Sequence, residues 1–544
     1  MTPLDRSGSR IPVAAAALAC LALATGPPPP AIDPGSLVNG ASRMPSSLAG
    51  GAIARGGRFS LSGVRLGPER AVKGSESDPP VTLAGVSIRI AQGQTDIPAG
   101  VLFASAERIE GLIPRAAPLG PVRLTVVYDD RASEPYFVNL VDSSFGFFTA
   151  ETAPEALPEA RKPLSAAPGE TMALWGAGLG DAPAEIFVGG KLAGTAARAA
   201  EEACCKGVDR IEFQIPTSAP MGCYVPVQAR AAGRPSNVIG IAIHPIGRDC
   251  RDQFDWFRES VEHATRAGFV VLARILLGAQ ASAGADPGYQ FDYAVAGFGN
   301  QHTGQRPFPP LPPFGTCTVA TRRINLHQVF ADARMPSAWT ALPEPTPGNL
   351  RLDAGPSISV AGPNGLKVLR RAARQRDFYD LLLGGVVPFT QVRPTPLYLQ
   401  PGAYTVTSAG GQDIGPFTAR VEAQRLIQWK NRTRLAEVRR AAGVTVEWRE
   451  AARQDAVLVA AVSSDQVTGD SALCLCLANA KDRRFTIPPI SLSNLPYTGD
   501  DDLEPSFLLL AELPLEPPVR IQASGLDAAF ATFLSANVRL VKFR

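Results

Sequence analysis

Along most of this chain apolar and polar residues alternate in short runs, broken by turns rich in Gly, Pro, Asn and Asp. Val122-Arg123-Leu124-Thr125-Val126-Val127, Tyr224-Val225-Pro226-Val227-Gln228-Ala229 and Val444-Thr445-Val446-Glu447-Trp448 are examples. Period-two alternation sends one face of a pleated strand into a core and leaves the other outside, so the pattern predicts strands. Further strands are expected at 358–360, 397–399, 403–407, 457–462, 472–477 and 484–487, the second and third as a hairpin-like pair around Pro401-Gly402. One segment departs from this pattern. Phe254, Phe257, Val261 and Ala264 fall at helical spacing, which predicts a helix over 252–267 stopped by Gly268. A strand follows at 268–280, interrupted by Arg274, then an extended Pro-Phe linker at 306–313 and a basic stretch at 367–376 that reads as a solvated face.

The first half repeats itself. Gly56-Gly57-Arg58-Phe59-Ser60-Leu61 and its Gly63-to-Gly67 corner match Gly169-Glu170-Thr171-Met172-Ala173-Leu174 and its Gly176-to-Gly180 corner. Glu107-Arg108-Ile109-Glu110…Pro114 matches Asp209-Arg210-Ile211-Glu212…Pro216, and Ala117-Pro118-Leu119-Gly120 matches Ala219-Pro220-Met221-Gly222. The unit, roughly 100 residues long, has the size of an immunoglobulin-like sandwich. The expected fold class is therefore all-β and multidomain: tandem immunoglobulin-like β-sandwiches, one connecting helix and further β-rich C-terminal domains.

Length and the N-terminus add a layout. At roughly 150 residues per domain, 544 residues imply three or four domains. Arg6 and Arg10, the apolar run Ile11–Leu23 and Ala22-Leu23-Ala24 form the three parts of a signal peptide, residues 1–24. Cys20 as a lipid-acylated residue is the competing expectation, weakened by Ala17 where a Leu is usual. Then come Ig-like domain 1 at 35–150, Ig-like domain 2 with disulfides at 151–248, a connector of helix plus strands at 249–313, and β-rich domains at 314–430 and 431–544. The predicted address is exported: extracellular, periplasmic or cell-surface. A net charge of +3 provides no overall basic field for nucleic acid, and no segment is apolar for long enough to predict a membrane span.

Cysteine usage agrees with an oxidising compartment. Cys204, Cys205, Cys223 and Cys250 cluster, which reads as two disulfides in preference to a four-thiolate zinc site, because the CxxC hooks of such sites are missing. Vicinal residues resist bridging each other, so Cys204 and Cys205 are expected to partner Cys223 and Cys250, in either order. Cys474 and Cys476 share one strand face, and either could meet Cys317, Cys476 being the expected partner.

The motif order Leu37-Val38-Asn39-Gly40-Ala41-Ser42, the Gly-x-x-Leu-Gly corners, the Arg-Ile-Glu…Pro strands and Cys204-Cys205-Lys206-Gly207…Gly222-Cys223-Tyr224…Cys250 resemble the acidobacterial secreted paralogous family, with its Solibacter-type C-terminal domain and IPT/TIG immunoglobulin-like modules. The resemblance covers roughly 35–250. Leu352-Asp353-Ala354-Gly355, Pro401-Gly402-Ala403-Tyr404-Thr405-Val406 and Val444–Trp448 are similar to C-terminal parts of the same group. It implies an Ig-like fold and no particular activity.

Chemistry is harder to find. The sequence has no Gly-x-Ser-x-Gly elbow and no His-Glu-x-x-His pair, and His244, His263, His302 and His327 are scattered. Gly176-Ala177-Gly178-Leu179-Gly180 reads as a turn and not as a phosphate cradle, and Asp500-Asp501-Asp502 with Glu504 as an exposed acidic loop that lacks calcium-loop spacing. Among Trp175, Trp256, Trp339, Trp429 and Trp448, Trp175 and Trp448 are expected in cores, and any exposed ring could stack on sugars. No catalytic, cofactor-binding or metal-binding residue is assigned. The reading is a secreted, non-enzymatic scaffold, adhesion or ligand-binding protein with an extracellular ligand or protein partner, polysaccharide included. Alternatives are a dedicated carbohydrate-binding protein and a two-carboxylate glycoside hydrolase.

Overall fold

A computed structural model describes residues 28–544 apart from 202–203, 256–263, 279–287, 301–309, 324–351, 373–374, 388–392, 450–454, 466 and 500–505. The described chain is all-β and multidomain. In the first sandwich, Arg58–Val64, Arg108–Leu112 and Gly100–Ala104 form one sheet, and Val86–Gln92, Gly120–Tyr128 and Tyr136–Val141 the other. Alternation sends Phe59, Leu61 and Ile109 inward from one and Ile88, Leu124 and Val126 from the other. The second sandwich sets Thr171–Ala177 and Asp209–Gln214 against Ala184–Val188, Gly222–Ala231 and Ile239–Ile243.

The sequence repeat holds at the level of register. Ile109 lies opposite Leu61, and its counterpart Ile211 lies opposite Leu174. Each copy also has a short parallel pair, Ile53–Ala54 beside Leu140 and Val141, and Ser165–Ala166 beside Ala242 and Ile243. The two sandwiches dock through the second glycine corner. Asn39 donates to the carbonyls of Ser144 and Ala177, at 3.1 and 3.3 Å. Gly178 has φ +86°, and a Cβ there would stand 2.6 Å from the Ser144 carbonyl. The Leu179 N–H, which a phosphate loop would present to its ligand, donates to Asp209 at 2.8 Å instead.

Beyond residue 264 a thirteen-stranded sheet dominates. Its centre is a parallel pair, Arg266–Gly278 beside Ala528–Leu540, in register from Ala267 opposite Ala528 to Gly278 opposite Arg539. On one side follow Phe507–Leu513, Ala456–Ser464, Asp470–Asn479 and Thr316–Arg323. On the other lie Tyr289–Asn300, Gln375–Gly385, Gly365–Ala372, Ser357–Gly362, Gly402–Ser408 and Phe417–Ala423. This sheet crosses the expected boundaries: Thr316–Arg323 pairs with Asp470–Asn479, and two central strands arise within 249–313. Half of the expected helix, 256–263, lies outside the described residues. Arg266 and Ala267, its last two positions, are strand, and Gly268 is a strand residue with the Phe298 ring against the space a Cβ would fill. The basic stretch begins within the strand Gly365–Ala372, hairpin partner of Ser357–Gly362. The expected hairpin of 397–399 with 403–407 does not form. Gly402–Ser408 pairs with Ser357–Gly362 and Phe417–Ala423, while the amides of Tyr398 and Leu399 turn to the buried carboxylate of Asp292.

Three disulfides join Cys204 to Cys205, Cys223 to Cys250 and Cys317 to Cys476. The first corrects the expected pairing, in which Cys204 and Cys205 would bond Cys223 and Cys250. Both lie in the turn between Arg198–Glu201 and Asp209–Gln214, where neighbouring side chains need not point to opposite faces as they do in a strand. Cys223 instead meets Cys250 with 5.1 Å between Cα atoms. Cys317 and Cys476 stand directly opposite one another in the ladder, and Cys474 is free and buried, its sulfur 3.7 Å from that of Cys476. Burial pushes the Cys474 thiol well above its ordinary pKa, which leaves it inert.

A polar seam as the candidate binding site

One face of the large sheet is covered in two places, first by its own edge strand Phe417–Ala423 folded back over Ala528–Leu540, then by a three-stranded sheet of Gln428–Trp429, Val444–Arg449 and Arg484–Ile487. Under the first, Val270, Leu272, Ala529 and Ala531 pack against Phe417, Ala419 and Val421. Under the second, Leu508, Leu510 and Val459 pack against Trp429, Val446 and Trp448. The chain crosses from one roof to the other at 424–433. Beneath it the same sheet face changes character: Arg274 follows Leu272, and Ser535 and Asn537 follow Ala531. Two apolar cores that would otherwise merge are divided by a polar row. Every member of such a row must find a partner or meet water.

Arg274 finds Asp292. The carboxylate is fully buried and accepts both Arg274 Nε (2.6 Å) and Nη2 (2.8 Å), along with the amides of Tyr398 (2.7 Å) and Leu399 (2.6 Å). Arg274 also donates to the Leu399 carbonyl. Asn537 Nδ2 donates to the Ile427 carbonyl at 2.9 Å, tying the crossing segment to the floor. Elsewhere the seam opens into a trough of about 560 Å³. Leu276 and Asn537 form its floor with Arg274, and Gln424, Arg425, Gln428, Trp429, Lys430, Arg432 and Thr433 its wall. No Asp or Glu is among its described lining residues. Arg449 reaches its rim, where Nε donates to Gln428 Oε1 at 2.9 Å, and Lys430 stands 3.9 Å from Glu447, outside the lining.

A smaller niche, about 160 Å³, adjoins the trough and shares Gln424 with it. Its character is opposite: Glu422, Asp455, Glu512 and Glu516 line it, among Pro514, Pro517 and Pro518. Burial raises the Asp455 pKa above the usual carboxylate range, opposed by its hydrogen bond to Glu512 and assisted by the charge of Glu516. Carboxyl groups that are hydrogen-bonded to each other lie closer together than the ~5–9.5 Å that glycosidase pairs require. The pair therefore gives no support to the two-carboxylate hydrolase.

The other residues singled out in the sequence are dispersed. Trp448 is fully buried, its Nε1 donating to the Ala480 carbonyl, and Trp429 is 8% exposed. Trp175 is half-buried against the Phe148 and Val208 cluster. Trp256, Trp339, His263, His302, His327 and the 500–504 acidic loop lie outside the described residues, save that His244 and Ser165 are both described and meet at 2.7 Å. That Ser–His contact sits on open surface, with a backbone carbonyl (Pro245) in place of an orienting carboxylate. Among the described residues, no helix is long and apolar enough to cross a membrane. The trough itself had a sequence signal that the alternation masks: Arg425, Lys430, Arg432, Arg434, Arg439 and Arg440 against the lone acid Glu437.

No family profile and no curated protein matches the chain. Solved structures with distant likeness include SGBP-B from a complex xyloglucan utilization locus in Bacteroides uniformis, at 13% identity and TM-score 0.15, over 50% of this chain and 66% of that one. SGBP-B of the Bacteroides ovatus mixed-linkage glucan utilization locus, solved with a mixed-linkage heptasaccharide, is similar at 12% identity and TM-score 0.14, over 76% and 80% of the two chains. The titin Ig tandem A164-A165 is similar at 12% identity and TM-score 0.13, over 36% of this chain and 90% of that one.

Proposed function

We propose that this protein is an exported, non-enzymatic binding protein that holds a polysaccharide in the seam of its C-terminal sheet. The observation that carries the reading is the trough of about 560 Å³ between two roofed cores. A volume of that order suits a few sugar units. Its amides (Gln424, Gln428, Asn537) and the Thr433 hydroxyl can both donate to and accept from a hydroxyl-rich chain. Three disulfides fit an oxidising compartment and so an exported address, as does the resemblance to secreted acidobacterial proteins. The docked sandwiches of the N-terminal half serve as a rigid stem. Binding to a panel of immobilised polysaccharides, compared between the native protein and Gln424→Ala/Gln428→Ala, tests this. Retention on at least one polymer, weakened in the variant, is expected. If the native protein is retained on none, or the variant binds undiminished, the seam is not the site.

A further inference from the structure

We infer, resting on that reading, that the polysaccharide is acidic: its chain carries carboxylate or sulfate groups that meet the cations of the trough. The argument is one of local charge against global charge. The whole chain is close to neutral at +3, so a cleft with basic groups and no described carboxylate is a local arrangement and not an average property of the surface. Of the cations, Arg274 is already matched by Asp292 and serves the floor. Arg425 and Lys430 are exposed on the wall, with Arg449 at the rim. Glu447 pairs with Lys430, and a separation of 3.9 Å with both side chains about half exposed leaves that ammonium available to a stronger anion. The adjoining niche sharpens the selection. Glu422, Asp455, Glu512 and Glu516 would repel the same ligand, so the anionic groups are confined to the side of Gln424 where the bases stand. A neutral glycan would feel neither influence. The guanidinium fork of Arg425 suits planar carboxylates and sulfates, and Gln424 and Thr433 on the same wall can meet sugar hydroxyls.

The experiment uses the native protein, Arg425→Ala/Lys430→Ala, and Arg108→Ala on the first sandwich as a surface control. The probes are polygalacturonic acid, sulfated dextran, uncharged dextran and a single-stranded oligonucleotide. A charge-assisted contact of about 1.5–3 kcal/mol corresponds to roughly a tenfold or greater loss of affinity per contact removed. The double variant should bind its acidic polymer at least about tenfold more weakly, with unchanged thermal midpoint, and Arg108→Ala should bind normally. Binding should also weaken as salt rises from low to physiological strength. Preference between the carboxylated and the sulfated polymer identifies which acid is read. Equal binding of uncharged dextran overturns the charge inference and leaves the polysaccharide reading standing. Equal binding of the oligonucleotide overturns it too, by reducing the seam to a general anion surface. Failure of every polymer to bind removes the underlying reading itself.

Discussion

In the N-terminal half, the strands that face one another are close in sequence: Leu61 meets Ile109, and Leu174 meets Ile211. In the C-terminal half, Val270 meets Ala531, and nearly the whole domain lies between them. The first arrangement closes two small cores, each built from its own neighbourhood. The second threads one parallel pair through two cores and leaves a polar gap where they fail to join. Closing a long loop costs more chain entropy, and parallel pairing rewards that cost only late. The disulfide enclosing the longest stretch of chain accordingly lies in the large sheet, while Cys223–Cys250 at the second sandwich encloses only 27 residues. The bond from Cys317 to Cys476 spans 159 residues, whereas the bond from Cys204 to Cys205 spans one.

The largest effect should come from breaking the long clamp. Cys317→Ala removes it and, unlike a change at Cys476, leaves Cys474 no partner across the strands. In the loop-entropy account, a closed segment of that length contributes about 5 kcal/mol. Denaturant unfolding should register a loss of that order. Hydrogen exchange should localise it: amides of 456–479 lose protection while those of 58–141 keep theirs. A loss below about 1 kcal/mol, or equal loss in both halves, would undo the contrast between them.

The same contrast explains what the sequence revealed. Period-two runs around Ile109 and Ile211 report directly on local pairing, and the repeat aligns them because each copy solves its own packing problem. The alternating run Val444–Trp448 is equally legible and forms the strand Val444–Arg449, and the short strand expected at 484–487 forms as Arg484–Ile487. Nothing near Arg266 announces a partner at residue 528, since parallel register across such a span leaves no local imprint. Arg274 did stand out as a charge inside an apolar run, but its meaning as part of a seam depends on Asp292, Asn537 and a roof that changes hands at 424–433. The basic run from Arg425 to Arg440 was legible and was hidden by a chain-wide charge near zero. Cys204 and Cys205 bond each other although vicinal residues resist bridging, and they do so in a turn, a setting that the spacing of the cysteines alone does not reveal.

A smaller effect probes the niche. The N-terminal sandwiches close over apolar residues, whereas the niche beside the seam holds Asp455 hydrogen-bonded to Glu512, with Glu516 nearby. Because the folded pKa of Asp455 is raised, its protonated form is favoured in the fold. Below the unfolded value, near ~3.9, it is protonated in both states and carries no penalty. As pH climbs from there through the raised folded pKa, ionisation beside two other acids erodes stability. Asp455→Asn should therefore raise the thermal midpoint at pH 7 by a few degrees and leave it unchanged near pH 3. A variant that gains as much at pH 3 as at pH 7 would mean that burial of Asp455 is not what sets its titration.

The smallest effect should come from the vicinal bond, Cys204 to Cys205. A bridge between adjacent residues closes no loop, so it removes almost nothing from the unfolded ensemble. What it contributes is packing. Cys205 is fully buried among Ala41, Phe148, Ala177 and Val208. The next residue, Lys206, pins the turn to the first sandwich: its N–H donates to the Glu76 carbonyl at 2.8 Å, and its own carbonyl accepts Arg58 Nε at 2.8 Å. Those hydrogen bonds use the backbone atoms of Lys206 and do not depend on the sulfurs. Cys204→Ala/Cys205→Ala should cost about 1–2 kcal/mol of lost contact, well below the Cys317→Ala value. Exchange of the Lys206 and Val208 amides should quicken while that of 456–479 stays slow. If this double variant loosens the protein as much as Cys317→Ala does, the turn is a clamp between sandwiches in its own right, and stabilisation by cysteine does not follow the length of chain each bond encloses.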